Sequence, residues 1–292
     1  MADLSRRNLL LVSGLGALAA TVPLPVEWPK FASYFRTSTR PLPAGPVAVP
    51  STAPVDVDSP FLFHDEFDGA AGSGPDPAKW VIATAREVIK EPKFWDRPEN
   101  MGQYRDDRRN IFLDGNSNLV IRATAENGHY FGGKLAGKWA GGIGLTWEAR
   151  VKFECLMPGC WPAWWLLNDD PVQGGEVDLV EWYGNGIWPS GSTVHARLDG
   201  TSFATQPFEV DSEWHIWRVT WNEDGVFFWR DYADGAEPYF AVSADSLDDW
   251  PFNDPGFRLS PMLNLAVAGA GGGDPSGSIF PADMLVDWIR IW

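Results

Sequence analysis

Short runs of alternating hydrophobic and polar residues dominate the chain from about residue 61 onward. Such runs place apolar side chains on one face and polar side chains on the other, which is the pattern of a half-buried β-strand. Turn sequences such as Asp114-Gly115-Asn116 separate the runs. Short strands at regular intervals predict an all-β sandwich. The predicted strands cover residues 118–123, 147–153, 193–198, 215–221, 226–229, 261–267 and 285–291.

One further predicted strand carries three acids within six residues, in the sequence Gly175-Glu176-Val177-Asp178-Leu179-Val180-Glu181. Strict alternation puts Glu176 and Asp178 on one face but sends Glu181 to the apolar side. A one-residue β-bulge between Asp178 and Glu181 would return all three acids to one face, and bulges are common beside active sites. Clustered carboxylates repel one another, which raises at least one pKa. The pattern therefore predicts catalytic carboxylates; the alternatives are a solvated acidic edge and a site for a cation such as calcium.

The first 58 residues have a different composition. Residues 1–22 combine the pair Arg6-Arg7, an apolar run and small residues, which predicts a twin-arginine-type signal segment. An N-terminal membrane anchor is the alternative. Residues 23–58 are rich in Pro and predict an extended linker, which leaves residues 59–292 as one catalytic domain. We expect export to the extracellular space or cell envelope of a bacterium, with no transmembrane domain in the mature protein.

The composition supports a large core and excludes some partners. Hydrophobic residues make up 45% of the 292 residues, which is enough for a core. A net charge of −16 argues against nucleic acid or an anionic membrane as partner, because both need basic patches. The 17 Trp residues suit both a sandwich core and a surface that stacks on sugars. Cys155 and Cys160 leave open a short-loop disulfide or two free thiols.

Several short motifs together resemble glycoside hydrolase family 16, and within it the bacterial endo-β-1,3-glucanases (laminarinases). Their order and spacing carry the resemblance, which extends from residue 63 to the end of the chain. It implies a jelly-roll sandwich of two curved antiparallel sheets, concanavalin-like, with an open concave cleft for a linear polysaccharide. The motifs are Phe63-His64-Asp65-Glu66-Phe67-Asp68-Gly69, Trp147-Glu148-Ala149-Arg150, Trp161-Pro162-Ala163-Trp164-Trp165, Gly175-Glu176-Val177-Asp178-Leu179-Val180-Glu181, Thr193-Val194-His195, Asn264-Leu265-Ala266-Val267 and Val286-Asp287-Trp288-Ile289-Arg290-Ile291.

The resemblance also implies a retaining mechanism. Glu176 would be the nucleophile, Glu181 the general acid/base, and Asp178 the carboxylate between them. Retaining glycosidases need two carboxyl groups about 5–5.5 Å apart with different pKa values, and Asp178 could separate those values by hydrogen bonding to a neighbour such as Glu176. Two residues between Asp178 and Glu181 resemble the laminarinase, agarase and carrageenase branches, so this spacing does not choose among their substrates.

Five further residues are candidates for binding the polysaccharide. Trp161 and Trp165 lie four positions apart, so they share a strand face and could stack on sugar rings. By resemblance, His195 would hydrogen-bond a sugar hydroxyl or the acid/base, and Asn110 and Asn264 would contact sugars. The alternatives are core packing for the tryptophans and framework hydrogen bonds for the others.

The resemblance further implies a structural Ca²⁺ on the convex face, with Asp287 as ligand beside backbone carbonyls near Glu66 and Gly115. The alternative is a hydrogen-bonded Asp287 on a terminal strand. Catalysis should need no cofactor. The predicted function is secreted, endo-acting cleavage of β-1,3-glucan by a monomer. The alternatives are a galactan hydrolase of agarase or carrageenase type, a transglycosylase, and a non-catalytic β-glucan-binding protein.

Overall fold

The computed structural model describes residues 59–82, 102–168, 174–198 and 201–292. The predicted signal segment, 1–22, and the predicted linker, 23–58, lie outside the described residues. The described chain is almost entirely β-structure, as the alternation predicts. Its one helical turn has four residues, and no helix in the described ranges is long and apolar enough to cross a membrane.

The elements are β1 (Phe63–Asp65), β2 (Trp80–Ile82), β3 (Gly102–Tyr104), β4 (Ile111–Leu113), β5 (Leu119–Glu126), β6 (His129–Gly137), β7 (Thr146–Glu154), β8 (Cys160–Leu167), β9 (Glu176–Glu181), β10 (Gly191–His195), β11 (Phe203–Pro207), β12 (His215–Asn222), β13 (Gly225–Arg230), β14 (Phe240–Ser243), β15 (Ser260–Val267), α1 (Gly269–Gly272) and β16 (Ala282–Ile291).

The strands form the two sheets of a jelly-roll sandwich. The outer sheet has the order β4-β5-β16-β7-β12-β13-β14, with β1 also paired to β16. The inner sheet has the order β6-β15-β8-β9-β10-β11, with β2 paired to β6. Pairing along both orders is antiparallel, whereas β3 pairs with β6 in parallel. The end of β5 pairs with the start of β6 and connects the two sheets. The acidic strand β9 therefore has neighbours on both sides in the inner sheet.

Alternation along the strands places one face of each sheet in a shared core. Trp164 and Val177 of the inner sheet are buried, as are Trp147 and Val219 of the outer sheet. Fully burying side chains of this size stabilises the fold by about 1.5–3 kcal/mol each. The opposite face of the inner sheet is free to carry polar side chains, and it holds the acids of β9.

The chain needs glycine to enter β9. Gly174 and Gly175 adopt φ angles of 76° and 96°, in a region that side chains with a Cβ rarely occupy. A Cβ on Gly175 would lie 2.4 Å from the ring of Phe257, so that position has no room for a side chain. The two glycines let the chain turn sharply against the core just before Glu176.

The predicted bulge is present in the middle of β9. Asp178 pairs with Trp165 of β8, whereas Val180 pairs with the adjacent Trp164, so β9 advances two residues while β8 advances one. Leu179 and Val180 are both buried, at 1% and 0% exposure. Two consecutive residues of β9 therefore enter the core, which is the local consequence of a bulge.

The same register shift occurs on the other side of β9, between Gly191 and Thr193 of β10. The extra residue resets the alternation, so that Glu181 returns to the face occupied by Glu176 and Asp178. We call this face of the inner sheet, opposite the core, the site face.

Replacing the core residue Ile289 by Ala should lower the free energy of unfolding by about 2–5 kcal/mol, because Ile289 is fully buried on β16 and its removal leaves a cavity. Ile279→Ala is the matched control, since Ile279 is 87% exposed and its truncation should change stability by less than about 0.5 kcal/mol. Urea unfolding of both variants measures the difference. Equal midpoints would contradict the assignment of Ile289 to the core.

Candidate active site

The register of the inner sheet shows which side chains share the site face. Directly paired residues of antiparallel strands point to the same side of a sheet. Lys134 of β6 pairs with Asn264 of β15, which pairs with Ala163 of β8, which in turn pairs with Glu181 of β9. These four residues form one row across the sheet.

The neighbouring rows hold the other acids. Asp178 lies between Trp165 of β8 and Thr193 of β10, and Glu176 pairs with His195 of β10. One surface thus carries the three acids of β9, the two predicted tryptophans, His195 and Asn264. This places Trp161, Trp165, His195 and Asn264 beside Glu176, Asp178 and Glu181, as the sequence pattern indicated.

Glu176 lies in an environment that disfavours its charge. Burial and the neighbouring carboxylate of Asp178 raise the pKa of Glu176 to about 8. The positive charges of His195 and Lys134 act in the opposite direction. The ionised form of Glu176 therefore depends on Lys134 and His195.

Asp178 is the most enclosed of the acids, at 2% exposure. Its Oδ2 lies 3.4 Å from Nε2 of His195. This oxygen accepts no hydrogen bond of normal geometry from a described residue. Nε2 of His195 is also 3.9 Å from Oε1 of Glu176. Burial, together with the charge of Glu181, raises the pKa of Asp178. His195 thus faces the two acids at the start of β9.

Glu181 is held by two hydrogen-bond donors. Nε1 of Trp161 donates to Oε1 at 3.0 Å, and the hydroxyl of Tyr183 donates to Oε2 at 2.5 Å. Burial raises the pKa of Glu181, while the hydrogen bonds from Tyr183 and Trp161 partly offset that rise. Glu176 and Glu181 therefore lie in different electrostatic environments, since the donors Trp161 and Tyr183 act at Glu181 and Lys134 acts at Glu176.

The two predicted tryptophans each have a ring face in contact with the protein. Lys134 places Nζ 4.6 Å from the ring centroid of Trp165, whose Nε1 donates to Oδ1 of Asn264 at 2.8 Å. The ring of Trp161 packs against Gly271 of α1, where a Cβ would lie 2.3 Å from the ring. A sugar could stack only on the remaining surface of each ring, and Asn264 serves to orient Trp165.

Lys134 was missed by the sequence reasoning. It is the single Lys or Arg in the described strands of the inner sheet, and it is only 3% exposed. Burial lowers its pKa to about 8, against the opposing effect of Glu176. Glycines interrupt the alternation of β6 at 132 and 133, so no strand pattern indicated that Lys134 shares a face with residues more than 40 positions away.

Tyr183 and Trp188 were also missed. The Tyr183 ring lies 5.7 Å from Trp161 and 5.3 Å from Trp188, which closes an aromatic cluster around Glu181. A signal was available for Tyr183, because it follows Glu181 by two positions, which is the spacing of residues on one strand face.

Asn110 was predicted to contact sugars, but the structure places it inside the framework. Its side chain is fully buried, and Nδ2 donates to the carbonyls of Arg122 and Phe131 and to the hydroxyl of Thr124. These bonds tie the start of β4 to β5 and β6. Asn110 is therefore a bracing residue and cannot reach a ligand on the site face.

Asp287, the carboxylate predicted to bind Ca²⁺ beside backbone carbonyls near Glu66 and Gly115, is paired with an arginine, and so is the side chain of Glu66. Oδ2 of Asp287 is 2.5 Å from Nη1 of Arg150, and Glu66 receives two hydrogen bonds, of 3.0 and 2.8 Å, from Arg290. Gly115 occupies a tight turn with φ 82°. The side chain of Asp287 is therefore hydrogen-bonded, as in the alternative, and a structural Ca²⁺ held by Asp287 and backbone carbonyls near Glu66 and Gly115 stays a prediction.

Ligand atoms of Glu176, Asp178 and His195 all lie within 4.8 Å of one another, which is the one such group of metal-ligand type in the described chain. These residues could hold a cation. They also lie on the site face among the acids and aromatic rings described above, an arrangement that fits a carbohydrate as well as it fits a metal ion.

Cys155 and Cys160 are buried free thiols. Burial raises the pKa of both, to about 12 for Cys160, so neither is a reactive thiolate at neutral pH. Of the two possibilities left by the sequence, the structure shows the free thiols.

Comparison with known proteins supports a carbohydrate-active site. The family model described as glycosyl hydrolases family 16 matches residues 101–252. Glucan endo-1,3-β-glucosidase A1 of Niallia circulans is 27% identical over 82% of this chain, but the chain spans only 39% of that relative's length.

Two solved structures are much more similar. A β-1,3-glucanase from Mycobacterium marinum is 61% identical, with a TM-score of 0.74 over 80% of this chain and 100% of the other. The second, described as an immunostimulatory antigen and pseudo β-1,3-glucanase of Mycobacterium tuberculosis, is 63% identical, with a TM-score of 0.74 over 80% of this chain and 98% of the other.

Replacing Lys134 by Met should raise the pKa of Glu176 further, because the substitution removes a positive charge that favours the carboxylate. The ionised fraction of Glu176 at neutral pH would then fall. Carboxyl ¹³C NMR titration of glutamate-labelled protein measures this pKa, with Glu176→Gln used to identify the signal. Lys138→Met is the matched control, because Lys138 is exposed and donates to the carbonyl of Pro77. An unchanged titration of Glu176 in K134M would contradict the electrostatic role of Lys134.

Proposed function

The chain belongs to glycosyl hydrolase family 16, and on that premise we propose that it is an endo-acting β-1,3-glucanase with a retaining mechanism. The observation that carries this proposal is the bulge in β9, which brings Glu176, Asp178 and Glu181 onto one face beside aromatic rings. The β-1,3 linkage rests on the named activities of the Niallia circulans and Mycobacterium marinum relatives.

In the first step, Glu176 attacks the anomeric carbon of a glucose unit. The bond from that carbon to the glycosidic oxygen breaks, and the oxygen takes a proton from Glu181. A covalent glycosyl ester on Glu176 forms, and the leaving chain departs with a free hydroxyl at its new non-reducing end. His195 and Lys134 favour this step because their positive charges favour the ionised form of Glu176.

In the second step, Glu181 acts as a base. It takes a proton from a water molecule whose oxygen attacks the anomeric carbon of the ester, and Glu176 departs as a carboxylate. Two inversions restore the original anomeric configuration. Asp178 lies between the two glutamates in β9 and opposite His195, and its charge opposes the ionisation of Glu176.

A second candidate function is binding of β-glucan without cleavage. One observation favours it, namely that a protein 63% identical to this chain is described as a pseudo β-1,3-glucanase. The presence of all three acids on the site face favours hydrolysis instead. Hydrolysis and binding assays on the same preparation separate the two functions.

The predicted export route is part of the same proposal. A polymeric glucan is met outside the cytoplasm, and the Arg6-Arg7 pair with its apolar run would carry a folded enzyme there. The enzyme would work as a monomer, extracellularly or at the cell envelope.

Incubation with laminarin should release reducing ends of several chain lengths, as endo cleavage requires, whereas agarose and carrageenan should release few. Lichenan tests the tolerance for mixed linkages. Size analysis of the products and the reducing-end assay measure this specificity. A folded protein that binds laminarin and releases no sugar would favour the non-catalytic function, and cleavage of a galactan alone would change the substrate class.

The substitution Glu176→Ala should reduce the activity on laminarin by more than about a thousandfold, because the glycosyl ester cannot form without the nucleophile. Azide should partly restore turnover of an activated β-glucoside by entering the vacated space, and the product would be a glycosyl azide of inverted configuration. NMR spectroscopy identifies that configuration. Full activity of E176A would refute the assignment of Glu176 as nucleophile.

A further inference from the structure

The hydroxyl of Tyr183 makes a short contact with the proposed acid/base that the two-step mechanism does not use. Its oxygen is 2.5 Å from Oε2 of Glu181. Tyr183 lies just beyond the end of β9, where the chain turns away from the sheet. The contact is therefore set by the turn that follows the catalytic strand.

That turn is fixed by contacts on several sides. The backbone N–H of Gly184 donates to the carbonyl of Cys160 at 2.9 Å. Asn185 donates from its backbone to Gly271 at 3.0 Å and from Nδ2 to Ala270 at 2.8 Å. The turn is thus bound to β8 on one side and to α1 on the other, which leaves Tyr183 little freedom to move.

Aromatic contacts fix the ring of Tyr183 as well. Trp188 packs edge-on against it, at a centroid distance of 5.3 Å and an interplanar angle of 86°. Trp161 lies on another side at 5.7 Å. Rigid support of this kind is what a group needs if it is to hold a catalytic side chain in one orientation.

The two donors around Glu181 differ in what they can do. The indole N–H of Trp161 can only donate, so Oε1 must keep a lone pair for it whether Glu181 is ionised or protonated. A hydroxyl can both donate and accept. Oε2, beside Tyr183, is therefore the oxygen that can carry the proton without creating a donor–donor clash.

We infer that Tyr183 is a positioning residue for the proton of Glu181, whose place on Oε2 is determined by Tyr183 and Trp161 together. The inference rests on the proposed function, because it assigns the atom through which the acid/base acts. Burial and the neighbouring carboxylates raise the pKa of Tyr183, so its hydroxyl keeps its own proton throughout.

Each step then conserves protons. In the resting site, Oε2 of Glu181 is protonated and donates to the Tyr183 oxygen. As the glycosidic bond breaks, that proton passes to the departing oxygen, and the Tyr183 hydroxyl rotates to donate to the carboxylate. When water attacks the glycosyl ester, its proton returns to Oε2, and the hydroxyl of Tyr183 rotates back.

The test is Tyr183→Phe, measured with two classes of β-glucoside. With laminari-oligosaccharides, whose departing alcohol needs a proton, kcat/KM should fall about tenfold to a hundredfold, within the range of acid–base contributions. With a 2,4-dinitrophenyl glycoside, whose leaving group needs none, kcat/KM should fall less than about threefold. An equal loss on both classes would show a merely structural role and overturn the inference.

Tyr239→Phe is the matched control. Tyr239 is also a partly buried tyrosine with a hydroxyl hydrogen bond, 2.7 Å to Ser192, but that bond does not involve an acid of the site. Y239F should leave the ratio of kcat/KM for the two substrate classes at the wild-type value. A thermal melt of both variants shows whether they fold.

A titration separates this inference from the proposed function. Loss of the Tyr183 donor should raise the pKa of Glu181 in Y183F, and Trp161→Phe should raise it as well, whereas Y239F should not. Carboxyl ¹³C NMR measures that pKa whether or not the protein is active, with Glu181→Gln identifying the signal. An inactive wild type would refute the proposed function alone. An unchanged pKa of Glu181 in folded Y183F would overturn the role of the donors. If Y183F does not fold, an unchanged pKa of Glu181 in W161F would overturn it.

Discussion

The bulge at Leu179 and Val180 is the constraint on which the rest of the site depends. Two consecutive apolar residues enter the core there, and their burial stabilises a register that strict alternation would forbid. This register requires one extra residue between Asp178 and Glu181. Its consequence is that Glu181 lies on the same face as Glu176, where both can reach one substrate. Hydrophobic packing on one side of β9 thus determines the chemistry available on the other.

Three neighbouring carboxylates repel one another when they are ionised, and side chains around them offset this repulsion. Lys134 and His195 supply positive charge near Glu176, while Trp161 and Tyr183 supply hydrogen-bond donors to Glu181. These partners come from three different strands and from the turn after β9, so they can favour different protonation states at the two glutamates. Such a difference is what a pair of carboxylates needs in order to divide the roles of nucleophile and acid.

The features that could be predicted from the sequence are those with local patterns. Alternation indicated the strands, and its failure at Val180 indicated the bulge. Spacing of four residues placed Trp161 and Trp165 on one face. Lys134 could not be found in this way, because glycines obscure the pattern of β6 and the register with β15 joins residues distant in the chain.

Two other predictions depended on side-chain partners that no local pattern shows. Asn110 has the residue type of a sugar-binding group, yet carbonyls of β5 and β6 surround it. Asp287 has the type of a calcium ligand, yet Arg150 pairs with it across neighbouring strands.

Covalent trapping of the nucleophile tests the proposed mechanism most directly. Reaction with a 2-deoxy-2-fluoro laminaribiosyl fluoride, followed by mass spectrometry of peptides, should find the sugar on Glu176. Labelling of Glu181 instead, or hydrolysis of the reagent with inversion and no labelled protein, would contradict it.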